Sequence, residues 1–143
     1  MATNYKAIAK KLKFEGRAFI NGKYVNAIDG NKFESINPAT GEKLCTVAKC
    51  NHKDVDLAVK VSRKVFDSGI WSRSSPEHRK EVLLKLAELL RKTGIENSVL
   101  ECVDTGKLIT DCLNEVANDA PMHFQWYGEL IDKVFGKVGP TEP

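Results

Sequence analysis

Every strand signal in this sequence falls within its first 48 residues, and helical periodicity follows. Asn21-Gly22 supplies the two positive-φ positions of a type I′ turn, and its flanks are aromatic and β-branched. A second pair of alternating segments, residues 33–37 and 44–48, encloses the turn Pro38-Ala39-Thr40-Gly41. Two β-hairpins followed by several helices predict an α+β arrangement for this chain.

Helix starts and ends are marked after the hairpins. Asn51 is a good N-cap residue with Asp54 at the third helical position, where a carboxylate faces the positive helix end, and Gly69 is expected to end this helix. Ser74-Ser75-Pro76-Glu77 fits a capping box with proline in the first turn. Gly94 is expected to end this second helix.

Two further helices complete the predicted elements. A short helix over Ile95–Val103 is expected to stop at Asp104-Thr105-Gly106. The last periodic stretch runs from about Thr110 to Phe135, and Pro121 inside it should kink or split it. The second and last helices carry the apolar residues Val82, Leu83, Leu86, Leu89 and Leu90, and Phe124, Tyr127, Leu130, Ile131 and Val134. Two short hairpins cannot cover both faces, so we expect an exposed apolar patch.

Composition excludes several classes of protein. The chain has 143 residues, 42% hydrophobic and 29% charged, which is typical of one globular domain. Its formal charge of +3 is too small to indicate a nucleic-acid partner, and the basic run Lys6, Lys10, Lys11 and Lys13 is interpreted as a solvated helix face. No signal peptide or membrane span is predicted. The four cysteines are expected to stay reduced in a cytoplasmic protein.

No catalytic constellation is visible from the residues alone. The cysteines Cys45, Cys50, Cys102 and Cys112 lack the spacing of a zinc site, and no glycine-rich dinucleotide or phosphate loop occurs. Glu101 and Asp104 lie close to Cys102 in sequence, and such negative charge raises a thiol pKa. We therefore predict no catalytic and no cofactor-binding residues in this chain.

An ordered set of short motifs nevertheless resembles one family. They are Phe19-Ile20-Asn21-Gly22-Lys23-Tyr24, Ile36-Asn37-Pro38-Ala39-Thr40-Gly41-Glu42, Asp56-x-x-Val59, Val65-Phe66-x-x-Gly69-x-Trp71, Arg79-x-x-x-Leu83, Glu101-x-x-Asp104-Thr105-Gly106-Lys107 and Trp126-Tyr127. In this order they resemble the N-terminal part of the NAD(P)-dependent aldehyde dehydrogenases, in particular bacterial members that act on γ-glutamyl-γ-aminobutyraldehyde and related amino-aldehydes.

The resemblance implies an α/β fold with a Rossmann-type domain, of which this chain is the N-terminal portion. It implies a basic lead-in over residues 1–18, a helical and hairpin part of the cofactor-binding domain over 19–138, and a truncated linker over 139–143. Family members are several-fold longer, and their catalytic cysteine, general-base glutamate and dinucleotide loop come later. The chain is thus expected to be an inactive fragment of a homo-oligomeric enzyme that oxidises an aldehyde substrate with NAD or NADP.

One further family site falls partly within the chain. Some aldehyde dehydrogenases bind a structural K⁺ or Na⁺, and the positions that correspond here are the backbone oxygens of Ser35 and Ile36 and the carboxylate of Asp104. Two other functions stay open on the residues alone. One is a stand-alone helical interaction module without chemistry, and the other is a weak nucleic-acid binder that uses the lysine-rich start.

Overall fold

Two separate antiparallel hairpins form the β part of the computed structural model, which describes residues 3–136. Strand β1 (Ala18–Ile20) pairs with β2 (Lys23–Val25), and β3 (Lys32–Ile36) pairs with β4 (Lys43–Ala48). At the first turn φ is 55° for Asn21 and 73° for Gly22, as a type I′ turn requires. Both predicted hairpins are therefore confirmed. The predicted linker 139–143 lies outside the described residues.

The helical part begins with α1 (Tyr5–Ala9) ahead of the strands and continues after them. It comprises α2 (His52–Ser68), α3 (Pro76–Thr105), α4 (Ile109–Cys112) and α5 (Ala120–Leu130). The segment Leu113–Asp119 between α4 and α5 is π-helical, and a 3₁₀ turn (Ile131–Lys133) follows α5. Helix α3 is the centre of the packing, because α1, α4, α5 and the π-helical segment all contact it.

Helix α2 begins and ends as its sequence predicts. Asn51 caps it and forms a capping box with Asp54, while Gly69 closes it with φ 78°. The buried Asp54 carboxylate also accepts a hydrogen bond from the backbone N–H of Ile28 at 2.8 Å, which ties the helix to the chain after the first hairpin. Backbone N–H groups of Asn51 and Ile28 lower the pKa of Asp54. Aside from this tie, α2 packs mainly against β1.

The predicted end of a helix at Gly94 is wrong, and so is the separate helix over Ile95–Val103. A single helix, α3, runs through both regions to Thr105. Gly94 is buried in its middle, where a methyl group added to its Cα would lie 2.9 Å from Cβ of Ala117 in the π-helical segment. The φ of Gly94 is not in the left-handed region that marks a helix end. The glycine is needed here because the two helical segments pack closely at this position.

The start of α3 also differs in detail from the predicted capping box. Ser75 rather than Ser74 is the N-cap residue, and its side chain accepts a hydrogen bond from the backbone N–H of His78 at 3.1 Å. Pro76 occupies the first helical turn as expected. Around Pro121 the helix changes its hydrogen-bond pattern instead of stopping, because the π-helical segment precedes the proline.

Substitution of Gly94 by leucine is expected to destabilise the chain by about 1–3 kcal/mol, because the added side chain meets Ala117 at less than van der Waals distance. Urea-induced unfolding followed by circular dichroism measures this change. The matched control is Gly94→Ala combined with Ala117→Gly, which moves one methyl group from one side of the contact to the other. This double variant should lose much less stability than Gly94→Leu. An unchanged midpoint for Gly94→Leu would contradict the close packing.

Candidate functional site

Ser35 and Asp104 meet although 69 residues separate them in sequence. Ser35 lies near the end of β3, and Asp104 lies in the last turn of α3, just before its closing residue Gly106. The Ser35 hydroxyl donates a hydrogen bond to Oδ1 of Asp104 at 3.2 Å. The structure therefore brings together the strand end and the helix end that the resemblance assigned to a single site.

A β-bulge lies at the two residues whose backbone oxygens were predicted as ligands. Ser35 pairs with Cys45, but Ile36 pairs with Lys43, so Leu44 is left without a partner in the ladder. A bulge disrupts the regular alternation of backbone groups and re-aims them. The carbonyl groups of Ser35 and Ile36 thus belong to the irregular end of this hairpin.

The turn after β3 packs on the turn after α3. Gly106 has φ 76°, and a methyl group added to it would lie 2.8 Å from Cγ of Pro38. This close approach places the Asn37-Pro38 turn directly against the Asp104-Thr105-Gly106-Lys107 turn. Within the last turn of α3, the Thr105 hydroxyl donates to the Glu101 carbonyl at 2.7 Å. The two motifs form one packed unit.

Lys107 connects this unit to the π-helical segment. Its Nζ lies 2.6 Å from Oε2 of Glu115 and 3.5 Å from Oε1 of Glu101. The hydrogen bond to Glu115, aided by Glu101, raises the pKa of Lys107. These partners fix the chain immediately after Gly106, so the end of α3 is restrained on both sides of the turn.

Ser35 and Asp104 both line a groove of about 500 Å³, in which Glu15 and Glu101 are further acidic groups. Glu15 is engaged by Arg17, whose guanidinium hydrogen bond lowers the pKa of Glu15 to about 2. Glu101 faces Lys107. Among the described residues, the Ser35 hydroxyl is the one hydrogen-bond partner of the Asp104 side chain, so Asp104 keeps oxygen lone pairs for a ligand.

The donor set fits a hard monovalent cation. Such ions take carbonyl and carboxylate oxygens, and the structure places a carboxylate beside the bulged strand end of Ser35 and Ile36. Within residues 3–136 there is no cluster of three or more histidine, cysteine or acidic side chains that would suit a transition metal or a calcium cage. Any cation held here would combine backbone oxygens with the carboxylate of Asp104.

The cysteines show different surroundings and no nucleophile arrangement in the described residues. Cys112 is fully buried, and burial raises the pKa of its thiol, as do the nearby Cys102 and Glu101. Cys102 donates to the Lys107 carbonyl at 3.1 Å. Cys45 is half-buried and Cys50 is exposed. In residues 3–136, no histidine forms a hydrogen bond with any of the four thiols.

Two contacts of this site could not be read from the sequence pattern. The Ser35 hydroxyl, considered there only for its backbone oxygen, contacts Asp104 through its side chain. The packing of Pro38 on Gly106 was also missed, although both residues belong to motifs that were singled out. Only the joint occurrence of the two motifs in one family pointed to their proximity.

Comparison with protein-family models decides the family, since residues 24–143 match the model described as "Aldehyde dehydrogenase family". The chain belongs to the aldehyde dehydrogenase family. The aminoacetaldehyde dehydrogenase of Pseudomonas aeruginosa is 42% identical over 137 residues, which are 96% of this chain and 28% of that enzyme. The sequence-based resemblance is thus confirmed.

Solved structures of aldehyde dehydrogenases contain the same fold. The γ-glutamyl-γ-aminobutyraldehyde dehydrogenase of Burkholderia cenocepacia superposes with a TM-score of 0.93 at 40% identity, covering 96% of this chain and 28% of that one. Indole-3-acetaldehyde dehydrogenase of P. syringae, in complex with NAD⁺, gives a TM-score of 0.92 at 40% identity and the same coverage. The predicted α+β portion of an aldehyde-dehydrogenase fold is confirmed. This chain spans little more than a quarter of the length of these relatives.

Among the helices of residues 3–136, none combines the length and apolar character that a membrane crossing requires.

Proposed function

We propose that this chain is the N-terminal scaffold of an enzyme that oxidises an aldehyde to a carboxylic acid with NAD or NADP as the hydride acceptor. The observation that carries the proposal is the match of nearly the whole chain to the first part of aldehyde dehydrogenases, two of them named for amino-aldehyde substrates. NAD(P) would accept the hydride, while residues 3–136 would supply packing surfaces and not reacting groups. We assign residues 19–138 to the cofactor-binding domain.

An amino-aldehyde is the proposed substrate class, and a homo-oligomer the proposed assembly. The names of the relatives support the first point, and the exposed apolar side chains of this chain support the second. Purifying the natural polypeptide that carries these 143 residues and following NADH or NADPH production from a panel of aldehydes tests the proposal. Oxidation with preference for amino-aldehydes is expected. A polypeptide with no activity on any aldehyde would contradict it.

We further propose that Ser35, Ile36 and Asp104 contribute to a site for a structural K⁺ or Na⁺. The backbone oxygens of Ser35 and Ile36 and the Asp104 carboxylate are the donors, and the contact between Ser35 and Asp104 supports their placement in one site. The packing of Pro38 on Gly106 supports it as well, since it fixes the two turns relative to each other. Additional ligands would come from outside residues 3–136.

Replacement of Asp104 by alanine is expected to abolish the rise in melting temperature that K⁺ produces in the natural polypeptide carrying this segment. The site then loses the charged donor that residues 3–136 supply, and the carbonyl dipoles of Ser35 and Ile36 hold the ion only weakly. Thermal unfolding is compared in potassium chloride and in N-methylglucamine chloride at equal ionic strength. Asp56→Ala, which removes an exposed carboxylate on α2, is the control and should keep the rise. Survival of the K⁺ effect in Asp104→Ala would overturn the assignment.

A further inference from the structure

We propose that the side-chain hydroxyl of Ser35 is a positioning group that orients the Asp104 carboxylate for the cation. This inference rests on the cation site proposed above and deepens it, because Ser35 there contributes only a backbone oxygen. The hydroxyl now has a second task at the same site. It acts on the ion through Asp104 and not by contact.

In residues 3–136, the Asp104 carboxylate has a single hydrogen-bond partner. Its Oδ1 accepts from the Ser35 hydroxyl at 3.2 Å, and in the described part of the chain its carboxylate has no other hydrogen bond or ion pair. A carboxylate on an exposed helix end otherwise rotates freely about its side-chain bonds. The single bond to Ser35 therefore selects one orientation and leaves Oδ2 available to a ligand.

The position of Ser35 on β3 directs its hydroxyl at the end of α3. Ser35 is half-buried while its neighbours on β3, Glu34 and Ile36, are exposed, so its side chain faces the end of α3. Pro38, three residues after Ser35, packs on Gly106 and so holds the end of the strand beside the end of the helix. Donor and acceptor are thus held on two elements that are themselves fixed.

The hydrogen bond between Ser35 and Asp104 joins a neutral hydroxyl donor to a carboxylate acceptor. A hydrogen bond to an ionised acceptor is stronger than one between neutral groups. A carboxylate has two acceptor oxygens, so Oδ2 can contact a cation while Oδ1 accepts from the Ser35 hydroxyl. Loss of the hydroxyl should leave the backbone donors in place but allow the carboxylate to rotate. The affinity for the ion should then fall without loss of the fold.

The test is a K⁺ titration of the melting temperature, at constant ionic strength, in the natural polypeptide that carries this segment. Ser35→Ala should raise the K⁺ concentration at half-effect by about five-fold. Ser35→Thr, which keeps the hydroxyl, should stay within about two-fold of the original value. Ser62→Ala, on the distant α2, is the matched hydroxyl deletion and should change nothing. Melting in the absence of K⁺ reports any purely structural effect of each variant.

The outcomes separate this inference from the cation site itself. A half-effect concentration that rises in Ser35→Ala and recovers in Ser35→Thr supports the positioning role. An unchanged concentration in Ser35→Ala, with the K⁺ effect lost in Asp104→Ala, overturns the positioning role and leaves the cation site standing. Absence of any K⁺ effect in the original polypeptide overturns both. Equal losses in Ser35→Ala and Ser35→Thr also overturn the positioning role, because the hydroxyl would not be what matters.

Discussion

The isolated 143-residue chain is expected to self-associate in solution or to bind the hydrophobic dye ANS strongly at neutral pH. Its accessible surface is 11076 Å², whereas a folded monomer of this mass exposes roughly 7,400 Å². Large side chains contribute, namely Phe66 on α2 at 58%, Trp126 on α5 at 65%, and Phe135, which follows the 3₁₀ turn, at 82% exposure. Six residues of the two apolar faces named from the sequence are also exposed, namely Val82, Leu89, Phe124, Tyr127, Leu130 and Val134.

The cost of this exposure decides the expectation. Each large apolar side chain left in water gives up roughly 1.5–3 kcal/mol relative to burial, while a whole domain is stable by only about 5–15 kcal/mol. The apolar residues that are buried within residues 3–136 are few and mostly small, namely Ala27, Ala87, Val99 and Cys112. Association, or a loosely packed state that admits the dye, relieves this imbalance.

Light scattering and ANS fluorescence measure the outcome, and a pair of variants on α2 locates the surface. Val59→Glu with Phe66→Glu should reduce dye binding or association, since both side chains are more than half exposed. Lys60→Gln with Lys64→Gln changes the net charge equally on the same helix and should have no effect. A sharp thermal transition, a monomeric mass and no dye binding would contradict this expectation and favour a stand-alone interaction module.

No NAD(P)-dependent aldehyde oxidation is expected from the isolated chain. Acyl transfer through a cysteine needs a thiolate that a base can activate, and in residues 3–136 no side-chain base is hydrogen-bonded to any of the four thiols. Cys112 is fully buried, and burial raises the pKa of its thiol, which disfavours the reactive thiolate. Absorbance at about 340 nm with a panel of amino-aldehydes should stay at the background rate.

The control is the natural polypeptide that carries these residues, assayed at the same molar concentration, which should be active. NADH production by the isolated chain that disappears in a Cys→Ala variant of Cys45, Cys50, Cys102 or Cys112 would contradict this prediction. It would place a catalytic thiol within this segment, against the prediction that the chain holds no catalytic residue.

Local sequence signals predicted those elements whose stability is local. The hairpin at Asn21-Gly22 and both ends of α2 follow from turn and cap chemistry within a few residues. Gly94 shows the limit of such signals. A glycine after an apolar stripe and two basic residues is typical of a helix end, but here it exists for a contact with Ala117, which lies much later in the chain and on another element.

The candidate site shows the same limit at longer range. The local sequence around Pro38 or Gly106 does not predict which other segment each turn contacts. That contact depends on how α3 packs beside the second hairpin. The π-helical segment Leu113–Asp119 was likewise not predicted, since its hydrogen bonds follow from packing on α3 and from Pro121. Family resemblance supplied the pairing of the two motifs that local patterns lacked.

The nucleotide sequence that follows the codon for Pro143 tests most directly the claim that this chain is the scaffold of an aldehyde-oxidising enzyme. We expect coding sequence for the rest of an aldehyde dehydrogenase, with a glycine-bearing dinucleotide loop, a catalytic cysteine and a general-base glutamate. A stop codon with no such coding sequence downstream in any frame would contradict the claim, and would leave a segment that works without the catalytic part.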